Sequence, residues 1–389
     1  MKIDHVHFYV EDATASRDWF VHILGFQLVA GVSCNHTRTE VVRSGSVYFI
    51  LSSPLTLASP VAEFLRLHPP GVADVALRVS DLEKVMEMAV NGGAKPRQPI
   101  QKQQLPQGFL KWGKIAAWGA MSHTLIEPTK VDTALESNRT PGKNLQSFDL
   151  QEGWMAKFWI DKDLADITKP NIGVTFTGID HVVLNVAKGD LERAVSWYED
   201  VLGFQPKQVF EIQTEQSGLR SQVMLHPGGE VQLPINEPTS ANSQIQEFLD
   251  VNQGPGIQHM ALHTSNIVRA IAHLRSSGLS FLAVPATYYT QLRYRHPKCR
   301  LLPAEWEEIA AQEILVDWQE DAPQSLLLQT FTQPIFRQPT FFFELIERRL
   351  QAQGFGEGNF RALFEAIEQE QMKRGSLGAS TSKLLGSKI

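Results

Sequence analysis

Two sequence blocks near the start of the chain recur in its second half. Residues 3–6 read Ile-Asp-His-Val and residues 24–27 read Leu-Gly-Phe-Gln, and the same letters return at 179–182 and 202–205. A second block at 71–82 matches residues 256–267 in its spacing of glycine, apolar and polar positions. Such self-similarity indicates duplication of a structural unit, so the two halves are predicted to share one fold.

Each block has the same order of predicted elements. A short strand of alternating character is followed by a helix with apolar residues three and four apart, and then by further strands. In the second half the helix is expected from about Leu191 to Val201, and it should stop at Gly203. The predicted fold class is α+β, with two tandem open β-barrel domains, each built from paired βαβββ units, and a C-terminal helix over the second barrel.

Three apolar, strand-like segments of the second half each carry one side chain that can bind a metal. His181 lies in 178–184, His259 lies in 256–262 and Glu344 lies in 341–346. Two neutral imidazoles and one carboxylate on one face of a divalent ion leave the opposite positions free for substrate and O2. This is the arrangement of non-haem Fe(II) oxygenases, and the pattern predicts such an iron site.

The carboxylate is the more informative member of this set. A single histidine in an apolar strand is most often a buried imidazole that hydrogen-bonds to a backbone carbonyl. Glu344 follows three phenylalanines, and an ionised carboxylate without a partner is costly to bury there, so it needs a cation or a metal. A salt bridge to Arg348 or Arg349 is the alternative to a metal.

The duplication allows the three candidate ligands to be compared with the first half. The first-half equivalent of Glu344 is Thr124, whose hydroxyl cannot replace a metal-binding carboxylate. The first half is therefore predicted to hold no metal and to serve packing or assembly. The predicted domains are 1–150, a repeat domain without metal, and 151–389, a catalytic repeat domain with the Fe(II) site and a C-terminal lid helix. The first-half equivalents of His181, His259 and Glu344 are His5, Asp74 and Thr124.

Composition restricts the class of ligand. The 389 residues carry a net charge of −6 with mixed signs, which argues against nucleic acid as a partner and provides no polybasic membrane patch. Only Cys34 and Cys299 are present, too few for a disulfide framework. The longest apolar stretch, 47–65, is broken by prolines and a glutamate. We expect a cytoplasmic protein that acts on a small molecule.

The second half also carries motifs that identify a family. Residues 234–238 read Pro-Ile-Asn-Glu-Pro, residues 256–259 read Gly-Ile-Gln-His, and residues 354–360 read Gly-Phe-Gly-Glu-Gly-Asn-Phe. With these motifs the chain resembles the 4-hydroxyphenylpyruvate dioxygenase family of the vicinal oxygen chelate superfamily. The likeness covers about residues 177–375 and extends more weakly over the first half.

The resemblance implies a reaction and its cofactor. Members of the family convert 4-hydroxyphenylpyruvate, a 2-oxo acid, and O2 to homogentisate and CO2 by oxidative decarboxylation, ring hydroxylation and side-chain migration. One Fe(II) per chain is implied, with ligands at His181, His259 and Glu344, and homodimers or homotetramers are typical.

The family's substrate pocket is carried over residue by residue. Strand periodicity supports several positions, because residues two apart share a face, but Gln258 should face away from its neighbour His259 unless the strand is bulged. The implied catalytic residues are Gln244, Gln329 and Asn236. The implied substrate-binding residues are Ser221, Pro234, Gln258, Phe331, Phe342, Phe355, Asn359 and Phe360.

Residues 355–372 have a helical apolar stripe behind three glycines. Periodicity alone fits a packed helix as well as a lid, and the glycines favour a lid because they permit movement. The tail 375–389, rich in Ser, Gly and Lys, is expected to be disordered.

Three other functions remain open from the sequence. A 4-hydroxymandelate synthase would use the same substrate and iron site but hydroxylate the benzylic carbon. An extradiol-type dioxygenase would use the same ligand types for catechols, and a non-catalytic metal-binding protein could use the same scaffold.

Overall fold

The fold is that of a computed structural model, which describes residues 1–105, 108–130, 174–214, 216–229, 231–295, 301–318 and 322–375. The predicted boundary between residues 150 and 151, the stretch 131–173 that contains it, and residues 376–389 of the tail lie outside the described residues.

The first half contains two βαβββ units in one sheet. The strand order is β2-β3-β4-β1-β5-β8-β7-β6, so β1 and β5, the first strands of the two units, pair at its centre. The elements are β1 Lys2–Tyr9, α1 Ala13–His22, β2 Gln27–Ser33, β3 Thr37–Ser44, β4 Val47–Pro54, α2 Pro60–Leu67, β5 Gly71–Arg78, α3 Leu82–Asn91, β6 Pro96–Leu105, β7 Gly108–Ala116 and β8 Ser122–Lys130.

The second half repeats this arrangement. Its strand order is β10-β11-β12-β9-β13-β16-β15-β14, position for position that of the first sheet, with α7 and α8 inserted before β14. The predicted α+β fold of four βαβββ units is confirmed. The elements are β9 Phe176–Asn185, α4 Leu191–Leu202, β10 Gln205–Gln213, β11 Gly218–Leu225, β12 Gln232–Pro238, α5 Gln244–Asn252, β13 Gly256–Thr264, α6 Ile267–Ser276, α7 Ala286–Arg295, α8 Pro303–Ala311, β14 Leu315–Trp318, β15 Leu326–Phe331, β16 Phe342–Arg348 and α9 Phe360–Arg374.

Helix α4 shows how local sequence sets an element's end. It stops one residue later than expected, and Gly203 follows in the left-handed conformation at φ 69°. The backbone N–H of Gly203 bonds to the carbonyl of Glu199, so a carbonyl at the open helix end is satisfied. Glycine adopts this φ without steric cost, which is why the helix ends here.

Phenylalanine rings from both halves form one aromatic core between the sheets. The Phe8 ring lies 5.1 Å from that of Phe341, and the Phe49 ring stacks on that of Phe343 at 5.7 Å. Successive side chains of a strand point to opposite faces. Anchoring of Phe341 and Phe343 in this core therefore turns Phe342 and Glu344 towards the interior of the second barrel.

The C-terminal helix α9 lies across the open side of the second barrel, as predicted. Phe364 from this helix packs with Leu219 on β11 and with Ile245 and Phe248 on α5. None of the described helices is both long and apolar enough to cross a bilayer.

Candidate metal centre and its cavity

The three candidate ligands meet inside the second barrel. His181, His259 and Glu344 lie on β9, β13 and β16, which are neighbours in the sheet, and Ala261 of β13 pairs with both His181 and Glu344. Their ligand atoms lie within 4.8 Å of one another. Glu344 Oε2 is 3.1 Å from His181 Nε2 and 3.9 Å from His259 Nε2.

The donor set fits a divalent transition metal. Both Nε2 atoms face the Glu344 carboxylate. The other ring nitrogen of each imidazole has its own partner. His181 Nδ1 lies 2.9 Å from Asp180 Oδ1, and His259 Nδ1 lies 3.4 Å from Gln258 Oε1. The second carboxylate oxygen, Glu344 Oε1, is buried and has no hydrogen-bond partner among the described residues. A buried acceptor left without a partner is costly unless a cation binds it.

Neither Arg348 nor Arg349 forms the salt bridge to Glu344 that was the alternative to a metal. Arg348 instead binds Asp180, with Nε 2.7 Å from Oδ2. Arg349 pairs with Glu347 at 2.7 Å and also contacts Glu305. The nearest cationic partner of Glu344 is therefore the imidazole of His181.

Burial and neighbouring charges shift the pKa values of the two imidazoles in opposite directions. Burial alone lowers the pKa of His181, but the carboxylates of Glu344 and Asp180 outweigh burial and raise that pKa to about 9. Burial, together with the charge of His181, holds the pKa of His259 well below its usual value. Without a metal, His181 is therefore protonated on both ring nitrogens, with its Nε2–H facing Glu344. A bound cation would replace that Nε2 proton.

A cavity opens from the three side chains. Its wall contains most of the predicted pocket residues, including two of the three predicted catalytic residues, Gln244 and Asn236. The predicted substrate-binding residues in the wall are Ser221, Pro234, Gln258, Phe331, Phe342, Phe355 and Phe360.

Gln258 reaches this wall because β13 is irregular. The register between β9 and β13 shifts between Ile257 and His259, which leaves Gln258 without an opposite residue. Such a β-bulge changes the alternation of side chains. Gln258 and its neighbour His259 therefore both face the cavity, which meets the condition that the sequence set for Gln258.

Gln329 and Asn359, in contrast, are not among the cavity-lining residues. Gln329 lies beneath the loop before α9, where a Cβ atom at Gly356 would be 2.1 Å from Gln329 Oε1, and neither amide atom of Gln329 has a partner among the described residues. Asn359 turns towards Tyr288, whose hydroxyl donates to Asn359 Oδ1 at 2.7 Å.

Apolar wall residues that the family resemblance did not supply come mainly from α9 and from β10 and β11. On α9 they recur at three- and four-residue spacing, a signal already visible as the helical stripe. On β10, Phe210 pairs with Ser221 and Ile212 pairs with Leu219, so strand pairing brings them to the wall. The additional lining residues are Val183, Phe210, Ile212, Leu219, Val223, Ile245, Leu363, Phe364 and Ile367.

The corresponding place in the first barrel is filled by ion pairing. Asp74 Oδ2 accepts the Thr124 hydroxyl at 2.8 Å and lies 3.3 Å from Lys114 Nζ. The His5 ring bonds to Asp4 at 2.9 Å. A lysine ammonium thus neutralises the one carboxylate that stands where the second barrel has His259.

Comparison with known proteins agrees with this geometry. Residues 1–109 match the family model described as "Hydroxyphenylpyruvate dioxygenase, HPPD, N-terminal", and residues 178–300 match the "Glyoxalase/Bleomycin resistance protein/Dioxygenase superfamily". A 4-hydroxyphenylpyruvate dioxygenase of Coccidioides posadasii is 35% identical over 398 aligned residues, covering 96% of this chain and 94% of the relative. The chain belongs to the 4-hydroxyphenylpyruvate dioxygenase family.

Other members of the 4-hydroxyphenylpyruvate dioxygenase family align over a similar length. The protein of that name from Dictyostelium discoideum is 36% identical over 96% of this chain and 99% of its own. A solved structure of a mutant 4-hydroxymandelate synthase from Streptomyces coelicolor has a TM-score of 0.76 at 24% identity, covering 95% of this chain and 98% of the other, which shows a shared fold. The chain is therefore a dioxygenase of this family, and the family implies a metal.

Proposed function

We propose that this chain converts 4-hydroxyphenylpyruvate and O2 to homogentisate and CO2 with one Fe(II) bound by His181, His259 and Glu344. The observation that carries the proposal is the meeting of these three side chains at the base of an aromatic cavity in a chain of this family. The site has the donor types of the Fe(II) oxygenases, and the cavity borders the three side chains that would hold the ion.

Fe(II), when bound, supplies the O2-activating redox chemistry that protein side chains lack. His181, His259 and Glu344 would hold the ion. Asp180 and Gln258 accept from Nδ1 of the two imidazoles, which leaves both Nε2 lone pairs available for a metal. The wall near the ion contains no lysine or arginine among its described residues. The described lining side chains therefore provide no cation for the carboxylate of a 2-oxo acid, and a bound metal would supply that charge.

The aromatic wall is suited to hold a phenyl ring and exclude water. Phe331, Phe355 and Phe360 face the cavity, and the Phe355 ring lies 5.3 Å from the His181 ring at 71°. Aromatic side chains bind a ring by offset or edge contacts. Removal of water near the ion protects a reactive oxidant from quenching, and the rings and α9 together provide this enclosure.

Gln244 is suited to bind the phenol oxygen of the substrate. Its side chain faces the cavity, and its Oε1 atom is buried without a hydrogen-bond partner among the described residues. An amide can donate and accept at the same oxygen without adding an acid or base. We assign the same role to Asn236, whose Nδ2 donates to Asn185 Oδ1 at a long 3.4 Å. Gln329 remains a predicted catalytic residue and Asn359 a predicted substrate-binding residue.

We also propose that residues 1–150 serve packing and assembly, residues 151–389 carry the chemistry, and the protein acts in the cytoplasm as a homodimer or homotetramer. The paired Asp74 and Lys114 in the first barrel support the assignment of chemistry to the second half. Helix α9 would act as the lid of that half.

The test is anaerobic loading with Fe(II), addition of 4-hydroxyphenylpyruvate and O2, and chromatographic identification of the product. Homogentisate with one CO2 per O2 consumed is expected. Glu344→Ala should abolish turnover, whereas Thr124→Ala, the same position in the first half, should retain it.

Three outcomes would contradict the proposal. Formation of 4-hydroxymandelate as the main product would assign the chain to the synthase reaction. Oxygen uptake with catechols alone, or bound iron without any O2 consumption, would support one of the other two alternatives.

A further inference from the structure

Arg348 joins the His181 side of the centre to the turn that precedes the lid. Its guanidinium forms two bonds to Asp180, from Nε to Oδ2 at 2.7 Å and from Nη2 to Oδ1 at 2.8 Å. The same Asp180 Oδ1 bonds to His181 Nδ1 at 2.9 Å. Arg348 therefore holds the carboxylate that orients a ligand imidazole.

The remaining arm of the guanidinium holds the chain after β16. Nη1 of Arg348 donates to the carbonyl oxygens of Ala352 at 3.1 Å and Gly354 at 2.9 Å. Four of the five guanidinium N–H groups are thus used in one planar fork. A lysine ammonium could keep the charge opposite Asp180 but could not span both sides.

The turn at 350–356 is one that needs such support. Leu350 and Gln351 have φ of 49° and 57°, and Gly354 and Gly356 have φ of 90° and 77°. Non-glycine residues rarely adopt left-handed φ, and such backbone persists only where surrounding contacts hold it. The two carbonyl bonds from Arg348 are contacts of this kind.

What the turn presents to the site is Phe355. This side chain is 6% exposed, and its ring meets the His181 ring edge-on at 5.3 Å. Arg348 therefore acts on His181 from two directions, through Asp180 at Nδ1 and through the turn that places Phe355 against the imidazole ring.

We propose that Arg348 is a positioning residue that links the orientation of His181 to closure of the 350–356 turn, so that metal binding and turn order support each other. The effect on metal binding rests on the proposed function, whereas the effect on the 350–356 turn rests on the contacts of Arg348 alone. Such a link is reciprocal, since whatever orders the turn must also favour the ligand geometry.

The test uses the full-length protein and three variants. Arg348→Lys keeps the cation and loses the fork, and Asp180→Asn alters the far side of the link, away from the turn. Arg78→Lys is the matched control, because Arg78 binds Asp4 at 2.7 Å and Asp4 binds His5 at 2.9 Å in the first half. Amide hydrogen exchange of residues 350–356 is measured on metal-free protein, and Fe(II) affinity is measured anaerobically by equilibrium dialysis.

Both Arg348→Lys and Asp180→Asn should speed exchange in the turn, and both should weaken Fe(II) binding by about 10–100-fold, as supporting residues of metal ligands do. Fe(II) should slow exchange of the turn in the wild type and should do so far less in either variant. Arg78→Lys should change neither quantity. Acceleration of the turn by Asp180→Asn is the diagnostic result, because a purely local role of Arg348 would not transmit it.

Unchanged exchange of the turn in Arg348→Lys would overturn the inference, as would faster exchange together with wild-type Fe(II) affinity. If Arg348→Lys does not fold, Asp180→Asn decides the same question by the same two readouts. Failure of the wild type to bind Fe(II) would refute the proposed function, and exchange in the metal-free variants would then still decide whether Arg348 holds the turn.

Discussion

The protonated state of His181 makes metal binding depend on pH. Burial opposes the charge, but Glu344 and Asp180 raise the pKa of His181 to about 9 in the metal-free protein. A ligand imidazole must be neutral, so an incoming ion has to displace one proton. The apparent affinity for Fe(II) should therefore rise as pH increases towards 9.

The size of the effect follows from that pKa. Between pH 7 and pH 8 the pH lies well below that pKa, so each ion bound displaces about one proton and binding should strengthen about tenfold. Close to one proton should be released per ion bound at pH 7.5. His259 should contribute no proton, since its pKa lies well below the usual value.

Isothermal titration calorimetry in buffers of different ionisation enthalpy counts these protons directly. His5→Gln is a suitable control, because His5 occupies the equivalent position next to Asp4 in the first half and should leave the count unchanged. Release of much less than half a proton at pH 7.5, with a pH-independent affinity, would refute the assignment of the charge to His181.

The same pKa affects stability without metal. The pKa of His181 is raised from 6.5 in the unfolded chain to about 9 in the folded one, so its stabilisation is fully present below pH 6.5 and is lost as pH rises through 9. Metal-free wild type should therefore lose stability relative to His181→Gln between pH 6 and pH 10 in urea titrations.

Three substitutions elsewhere have separable effects on stability and turnover. Gly356→Ala should cost more than Gly189→Ala. Both add left-handed strain of about 1–2 kcal/mol, but only at Gly356 must the new Cβ also displace the buried amide of Gln329, whereas Gly189 has open space. Glu368→Ala should speed hydrogen exchange in α9 and lower turnover, because this buried carboxylate accepts two hydroxyl bonds from the β10–β11 turn. Lys114→Ala should lower the free energy of unfolding by about 2 kcal/mol, because it leaves the buried Asp74 carboxylate without its cation. The loss should stay modest because a quarter of the Lys114 side chain is exposed, and turnover should be unchanged.

Each of these expectations can fail in a distinct way. Equal stability losses for the two glycine variants in thermal unfolding would show that the space above Gly356 is not limiting. Unchanged exchange across α9 in Glu368→Ala would show that the carboxylate does not hold the helix. Loss of turnover in Lys114→Ala at unchanged stability would place chemistry in the first barrel.

The fold could be predicted largely because the sequence repeats its own pattern. Strand alternation places Phe341 and Phe343 on one face and Glu344 on the other, and the aromatic core confirms that division. The end of α4 followed from Gly203. The insertion of α7 and α8 between α6 and β14 had no counterpart in the first half, so the repeat contained no signal for it.

The site was less fully predictable, because side-chain partners depend on the packing of distant segments. Strand periodicity indicated that Gln258 could face the pocket together with His259 only if the strand is bulged. The bulge itself is visible only in the pairing of β9 with β13. The position of Gln329 beneath Gly356 depends on a loop whose path no local pattern encodes. The bonds from Arg348 to Asp180 join residues far apart in the chain, and the sequence offered Arg348 only as a partner for Glu344.

His181, His259 and Glu344 are proposed to hold one ferrous ion together. Anomalous diffraction at the iron absorption edge, from crystals grown anaerobically with Fe(II), tests it most directly. We expect a single peak per chain, in bonding contact with both Nε2 atoms and the Glu344 carboxylate. A peak bound by other residues, or none at these three in a chain that still consumes O2 with substrate, would contradict it.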